Sequence, residues 1–409
     1  MNIKGIRQNA LILTWSLYDL ANQFFALNIV SLYFVRWVTI EKGLPEIFYS
    51  VAFGISTFFV AVSTPILGAI SDLLNRRMFF LNLFTLFSVI FTMMLGISKY
   101  VFISLIFFAM ANFGCQTAVV FYNALLSNIA PKDKVGLISG IGRMFGYIGA
   151  LLALYMTRPY ALRKDYHQIF FLSAFCFLVF AAPSMLFIKD KDPYKIRVKL
   201  SSFLKKEKFL EILTNLKTTL FDYKAIGLIN FLKASFCGLC AVNVIIIFMS
   251  VYATVVFKIT EIQLINFVIL STLFAILGSF ISGNITDYLG IKKSLTVLFV
   301  LWISVVSLAA WIKNMSLYWF IAWFGGLALG STWTVLRAMV VYFVPKDKIG
   351  KIFGLFNLMG YISAIVGSLF WGVILLLFLR WGVIRYRISL FSLNLFFLLG
   401  LVFLHRDQK

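Results

Sequence analysis

Acidic residues and histidine are what this chain has least of: 15 Asp and Glu against 37 Lys and Arg, and 2 His, in 409 residues. Charge of either sign makes up 13% of the chain, about half the share usual in a soluble domain, and 62% is hydrophobic. This scarcity excludes several classes of function. His167 and His405 fall at or near the ends of apolar runs, so no run carries the nucleophile–base pair or ligand cluster that hydrolysis, acyl transfer or a metal centre requires. No Walker-type phosphate loop is present, which argues against direct ATP drive. Neither enzymatic activity nor a cofactor or metal is expected. Cys115, Cys176, Cys237 and Cys240 all lie inside apolar runs. The Cys237-Gly-Leu-Cys240 spacing resembles a redox or metal motif, but without a nearby histidine it reads as small packing residues.

What the chain does have is long hydrophobic runs, apolar on every face. A hydrocarbon core of about 30 Å takes about 20 apolar residues per helix. By that measure the sequence predicts twelve spans, at roughly 10–36, 47–71, 78–97, 101–129, 136–157, 167–188, 225–257, 262–286, 294–312, 316–343, 350–378 and 384–404. A transmembrane barrel would instead alternate polar and apolar residues over short segments. The expected fold is therefore an all-α integral membrane protein. The apolar stretch after "MNIKGIR" is too long for a signal peptide, carries Asp19 and has no small-residue cleavage site, so it reads as the first span.

The net charge of +22 would suggest nucleic acid in a soluble chain, but here the cations sit mostly in loops between spans, as topology signals and lipid anchors. Their excess on the side of the termini predicts that both termini are cytoplasmic, in a cell or inner membrane. No nucleic-acid partner is expected. Residues 189–224 break the hydrophobic pattern with ten cations and five anions and divide the chain into a first bundle (1–188), a basic linker (189–224) and a second bundle (225–409). Within the linker, Phe209, Leu213, Leu216 and Leu220 recur at helical spacing beside lysines, as in a helix lying on an anionic leaflet; a solvated linker reads equally well.

The two bundles are versions of one another. "PKDKVG" at 131–136 returns as "PKDKIG" at 345–350, with Gly140, Gly146 and Tyr147 matched by Gly354, Gly360 and Tyr361. "GAISDLLNRR" from Gly68 returns as "GNITDYLGIKK" from Gly283. Parallel six-helix repeats with a substrate site near the midplane are a transporter architecture. Gly68, Asp72, Arg76 and Arg77 are similar to the loop 2-3 signature of the major facilitator superfamily, and Gly283, Asp287, Lys292 and Lys293 are a second copy, with Ile291 at the position of Arg76. The resemblance implies a cytoplasmic gate at these residues, where carboxylate and cations form a lock that breaks as the halves rock. "WSLYDLANQFF", "FYNALLSNIAP", "ISGIGRMFGYIGALLAL" and "GKIFGLFNLMGYISAIVG" further resemble the vacuole-effluxer group of that superfamily, which implies amino-acid export.

Four charges fall well inside the predicted spans: Asp19, Arg143, Lys233 and Arg337. Ionised groups at such depth are costly and mark function by default. The repeat offset of 214 carries Asp19 onto Lys233, Asn123 onto Arg337 and Arg143 onto Asn357. If equivalent positions face each other across a central cavity, Asp19 is compensated by Lys233, with Arg337 as a further cation; a static clasp between the bundles is the bland alternative. Snorkelling towards the helix ends is the corresponding plain reading of Arg143 and Arg337. Asn22, Gln23, Gln116, Asn123 and Asn357 are candidate cavity-lining amides, or interhelical glue. Three cations against one acid favour a small anionic or zwitterionic solute, moved by a monomeric secondary carrier through alternating access. Any coupling proton at depth rides on Asp19. A lipid or lysolipid flippase or scramblase of the same fold is the competing reading.

Overall fold

The computed structural model describes residues 3–44, 46–190, 227–344 and 348–406. Residues 191–226, which hold nearly all of the basic linker including its expected leaflet helix, lie outside the described residues. Among those described there is no strand, and the chain is helical throughout. We number the helices α1 (Ile3–Phe25), α2 (Glu46–Leu74), α3 (Arg77–Ile97), α4 (Val101–Ile129), α5 (Val135–Leu162) and α6 (Tyr166–Phe187). After the linker come α7 (Leu228–Phe257), α8 (Glu261–Leu289), α9 (Ile291–Trp311), α10 (Met315–Phe343), α11 (Ile349–Leu377), α12 (Ile384–Ser392) and α13 (Asn394–His405).

Among the described residues, eleven helical segments are long and apolar enough to cross a membrane, against the twelve expected. The segment that falls short is the first, where Thr14, Ser16, Asp19, Asn22 and Gln23 dilute the apolar run. Past Phe25 its winding also departs from the α-helix, becoming π-helical at Ala26–Tyr33 and Trp37–Glu41.

The helices group into two compact units, one made of Met1–Leu213 with Val344–Leu358, the other of Thr214–Phe343 with Met359–Lys409. The first turns of α11 thus belong with the first unit, although chain order would assign them to the second. Close packing accounts for this. A Cβ on Gly354 would stand 2.7 Å from the Thr64 carbonyl and the Pro65 Cα of α2, so only glycine lets these helices touch.

In the first unit α1 is central. Its Trp15 ring stacks on Tyr122 of α4 at 4.7 Å, and Tyr122 stacks in turn on Tyr18 at 4.9 Å. The Trp15 indole N–H donates to the Tyr122 carbonyl at 3.1 Å, and the hydroxyls of Tyr18 and Thr85 of α3 share a 2.6 Å hydrogen bond. On the other side α5 meets α1 with a stripe of small residues, Ser139, Gly142, Gly146, Gly149 and Ala153, all buried and at helical spacing. Buried aromatics, with the Trp15 indole and Tyr18 hydroxyl hydrogen-bonded, on one flank and a small-residue seam on the other fix the rotation of α1.

In the second unit the ring of Phe299 on α9 fills the space left by Gly238 of α7 and Gly400 of α13. Trp302 stacks on Phe397 and its indole donates to Thr332 of α10 at 2.9 Å. Thr260 and Gln263 form a capping box at the start of α8. All four cysteines are free and buried. The exposed faces are apolar as well, for example Ile55, Phe58 and Phe59 on α2 and Val297 and Val300 on α9, as a lipid-facing surface requires.

Candidate functional site

Asp19 sits in the middle of the first unit, and the rotation of α1 just described turns it towards α5. Its Oδ1 accepts from Arg143 Nη1 at 3.5 Å, with 4% of the Asp19 side chain and 19% of the Arg143 side chain exposed. Gly146, one turn along α5, adjoins the same carboxylate: a Cβ there would lie 3.4 Å from the Asp19 carboxyl carbon. Gly149 sets the spacing, because a Cβ would come within 2.4 Å of the Leu20 carbonyl and push the helices apart. The ion pair is therefore a product of the glycine seam. Asn22, one turn beyond Asp19, accepts from the Cys115 thiol of α4 at 2.9 Å. Asn123 is buried on α4, while Gln23 and Gln116 are partly exposed.

This geometry changes the account of Asp19. Its charge is met by Arg143 inside its own unit, 124 residues away in sequence. Lys233 belongs to the second unit, is exposed, and places its ammonium over the ring of Phe403 at 5.8 Å. Its pairing with Asp19 is thus not needed to explain the buried carboxylate. Arg337 is buried on α10, and Asn357 is partly exposed on α11.

The second cluster lies at the end of α2. Asp72 Oδ1 accepts from Arg77 Nη2 at 2.9 Å and Nε at 3.1 Å, both side chains being 5% exposed. The same oxygen accepts the backbone N–H of Gly350 at 3.2 Å, in the first turn of α11. A carboxylate at a helix N-terminus meets both the unpaired N–H groups and the positive end of the dipole. Arg77 Nη1 also donates to Ser127 at 3.2 Å and Asn128 at 3.4 Å on α4. The turn holding these groups is tight. Asn75 takes the left-handed conformation with φ +51, and the Arg76 N–H closes back on the Ser71 carbonyl at 3.2 Å. Gly68 is buried at the α2 side of this cluster and Arg76 is exposed.

One member of the cluster has no counterpart among the expected residues. Asp190, just past α6, accepts the Met78 backbone N–H with both oxygens, at 3.0 and 3.1 Å, and so caps α3. Burial pushes its carboxyl above the ordinary range, while the Met78 N–H and the nearby Arg77 pull the other way. In sequence it is one charge among many at the start of the linker.

The second copy of the motif is built differently. Asp287 accepts from the Tyr342 hydroxyl at 3.3 Å, Lys292 and Lys293 are exposed, and Gly283 is buried. Gly290, with φ +79, takes the turn that Asn75 takes in the first copy. No group of His, Cys, Asp and Glu able to hold a metal ion occurs among the described residues.

Comparison with known proteins identifies the family. The family model described as Major Facilitator Superfamily matches residues 20–368 and 234–409. The chain is 25% identical over 418 residues to the MFS-type transporter YxiO of Bacillus subtilis (strain 168), covering 96% of this chain and 93% of that one. A protein of Aquifex aeolicus (strain VF5) is 24% identical over 364 residues, 89% of each chain. Among solved structures, the human organic anion transporter MFSD10 superposes with a TM-score of 0.71 at 14% identity, over 99% of this chain and 100% of that one. The proton:xylose symporter XylE gives 0.70 at 14% identity, over 98% and 95%. With the family model matching most of its length and the same helical fold in transporters of that kind, the chain belongs to the Major Facilitator Superfamily and is a secondary transporter, a carrier and not an enzyme.

Proposed function

We propose that this carrier moves a small anionic or zwitterionic solute, and that Asp19 and Arg143 couple its movement to protons. The reading rests on one observation, the buried Asp19–Arg143 pair. A guanidinium can bind a carboxylate through two parallel hydrogen bonds, and the Arg143 Nη1 contact with Asp19 is long, at 3.5 Å. Protonation of Asp19 releases Arg143 for a solute carboxylate; loss of the proton restores the internal pair and expels the solute. Competition of this kind links proton and solute without a second buried acid. Lys233, Arg337 and Asn357, with the amides Asn22, Gln23, Gln116 and Asn123, are proposed to complete the binding surface. Resemblance of the α1 stretch to the vacuole effluxers supports amino acids as the solute and export as the direction. The organic anion transporter among the structural relatives is in keeping with an anionic group.

The Asp72–Arg77–Gly350 cluster is proposed as the gate. Asp72→Asn keeps the shape and removes the charge; Arg77 keeps Ser127, Asn128 and the nearby Asp190, so folding should suffer less than from loss of the arginine, while transport falls several-fold. Normal flux in that variant would reduce the cluster to a structural turn.

Uptake into proteoliposomes, with a pH gradient and a panel of amino acids and organic acids, tests the solute class. A carboxylate-bearing solute should accumulate, and Arg143→Gln should abolish its uptake. Accumulation of uncharged sugars alone, or movement of labelled lipid in place of solute, would overturn the reading.

A further inference from the structure

Beyond Phe25, the chain of α1 is wound as π-helix over Ala26–Tyr33 and Trp37–Glu41, with Phe34–Arg36 between them. The Lys42 N–H donates to the Trp37 carbonyl five residues back at 2.9 Å, and the Ser31 hydroxyl reaches the Ala26 carbonyl, also five back, at 3.0 Å. Neither proline nor glycine occurs between Asn9 and Glu41, so the usual causes of helix distortion are missing. Burial supplies the cause. The fully or nearly fully buried residues here come in pairs, Phe24 with Phe25, Asn28 with Ile29, Tyr33 with Phe34, and Trp37 with Val38. The pairs return every four or five residues. Nine residues make about two and a half turns of α-helix, so α winding would place Phe34 on the face opposite Phe25. The wider winding keeps both on one face.

That face is held from three sides. Phe34 stacks on Phe108 of α4 at 4.7 Å, and Trp37 meets His167 and Phe170 edge-on at 5.7 and 6.1 Å. Asn28 donates to Ser173 of α6 at 2.9 Å, and Thr157 of α5 donates to the Tyr33 hydroxyl at 3.5 Å. Tyr49 of α2 donates its hydroxyl directly to the Val30 carbonyl, in the middle of the π turns. π-Helix is rare, is found mostly at functional positions, and persists only where its surroundings impose it. Here the imposed winding decides which side chains are buried, which makes the stretch a two-position element.

We propose that residues 26–41 are a register switch in the transport cycle and that Tyr49 is the positioning residue that holds it. In the state described, the stretch is π-wound. When Tyr49 releases Val30, the stretch rewinds as α-helix and turns Phe34 and Trp37 by about half a turn, out of their niche against α4 and α6. The switch gives the first unit a discrete moving part beyond Asp19, at the end of α1 remote from the chain terminus. It does not depend on the solute or on proton coupling.

The test uses the full chain in lipid nanodiscs and needs no solute. Tyr49→Phe keeps the ring and removes one hydrogen bond. Hydrogen exchange over residues 26–41 should then accelerate by about tenfold, with 77–97 unchanged. In the same two backgrounds, Phe34→Cys should react with a water-soluble maleimide, faster with Tyr49→Phe, while Phe121→Cys, packed between α3 and α4 away from the niche, stays unlabelled. The four native cysteines are buried and give the blank. Exchange that does not change, or that rises equally across the first unit, overturns the proposal, as does equal labelling at positions 34 and 121. Should Phe34→Cys fail to fold, exchange in Tyr49→Phe decides alone.

Discussion

The two repeats solve the same packing problem with different chemistry. In the first, Asn112 of α4 donates to Ser56 of α2 at 2.7 Å. The repeat offsets carry this pair onto Gly326 of α10 and Ser271 of α8, where there is no side chain to bond: a Cβ on Gly326 would stand 2.2 Å from the Ser271 carbonyl. Gly278 and Gly330 make the same crossing equally close, at 2.3 Å from the Leu327 carbonyl and 2.1 Å from the Ala275 carbonyl. The contrast extends to charge. Among the described residues the first repeat has the ion pairs Asp72–Arg77 and Asp19–Arg143, where the second has Asp287 with a tyrosine hydroxyl and Lys233 over an aromatic ring. A duplicated scaffold has kept its helices and turn positions. At this crossing one copy uses a polar pair that can change partners, the other close backbone contact, which has a single arrangement.

Exchanging residues between the repeats tests that contrast. Gly326→Asn should be the most damaging, costing more than about 3 kcal/mol, because backbone on the facing helix leaves no room. The reciprocal Asn112→Gly should cost about 2 kcal/mol, the loss of one hydrogen bond plus a helical glycine. Thermal unfolding of the purified protein in detergent ranks them, and similar values would break the comparison. Arg77→Met comes next, at about 3 kcal/mol, since it leaves the buried Asp72 carboxylate without its guanidinium. Tyr342→Phe at the second motif should change stability by less than about 0.5 kcal/mol, as expected for an exposed contact. The smallest effect is predicted for Asn75→Gly, which installs the residue used at the equivalent turn of the second repeat. It should be neutral or stabilising by about 0.5 kcal/mol, because φ is positive there already. A loss of more than that would mean the Asn75 side chain has work beyond the turn.

Much of this was legible in the sequence. The repeat offset located both motif copies and paired the polar positions within the helices. Asp19 stood out because an acid in an apolar run is costly. Its partner did not. Symmetry relates positions between repeats but does not say which helix packs closest, so it pointed to Lys233. The usable signal was the spacing of Ser139, Gly142, Gly146, Gly149 and Ala153, a seam of small residues with Arg143 beside it. Asp190 was hidden among other charges, and only its place at the start of α3 distinguishes it. The π winding was the least legible feature, because its signature is a four-to-five residue recurrence of buried pairs, and burial is known only once the neighbours are in place.

The central claim is that the Asp19–Arg143 pair couples proton to solute. The most direct measurement is pH-driven accumulation in proteoliposomes by Asp19→Asn, beside solute exchange at equal pH by the same preparation. The account predicts that accumulation is lost while exchange persists, because Arg143 remains able to bind the solute without a proton to release it. Accumulation with unchanged pH dependence in Asp19→Asn would contradict it and remove the pair from the coupling mechanism.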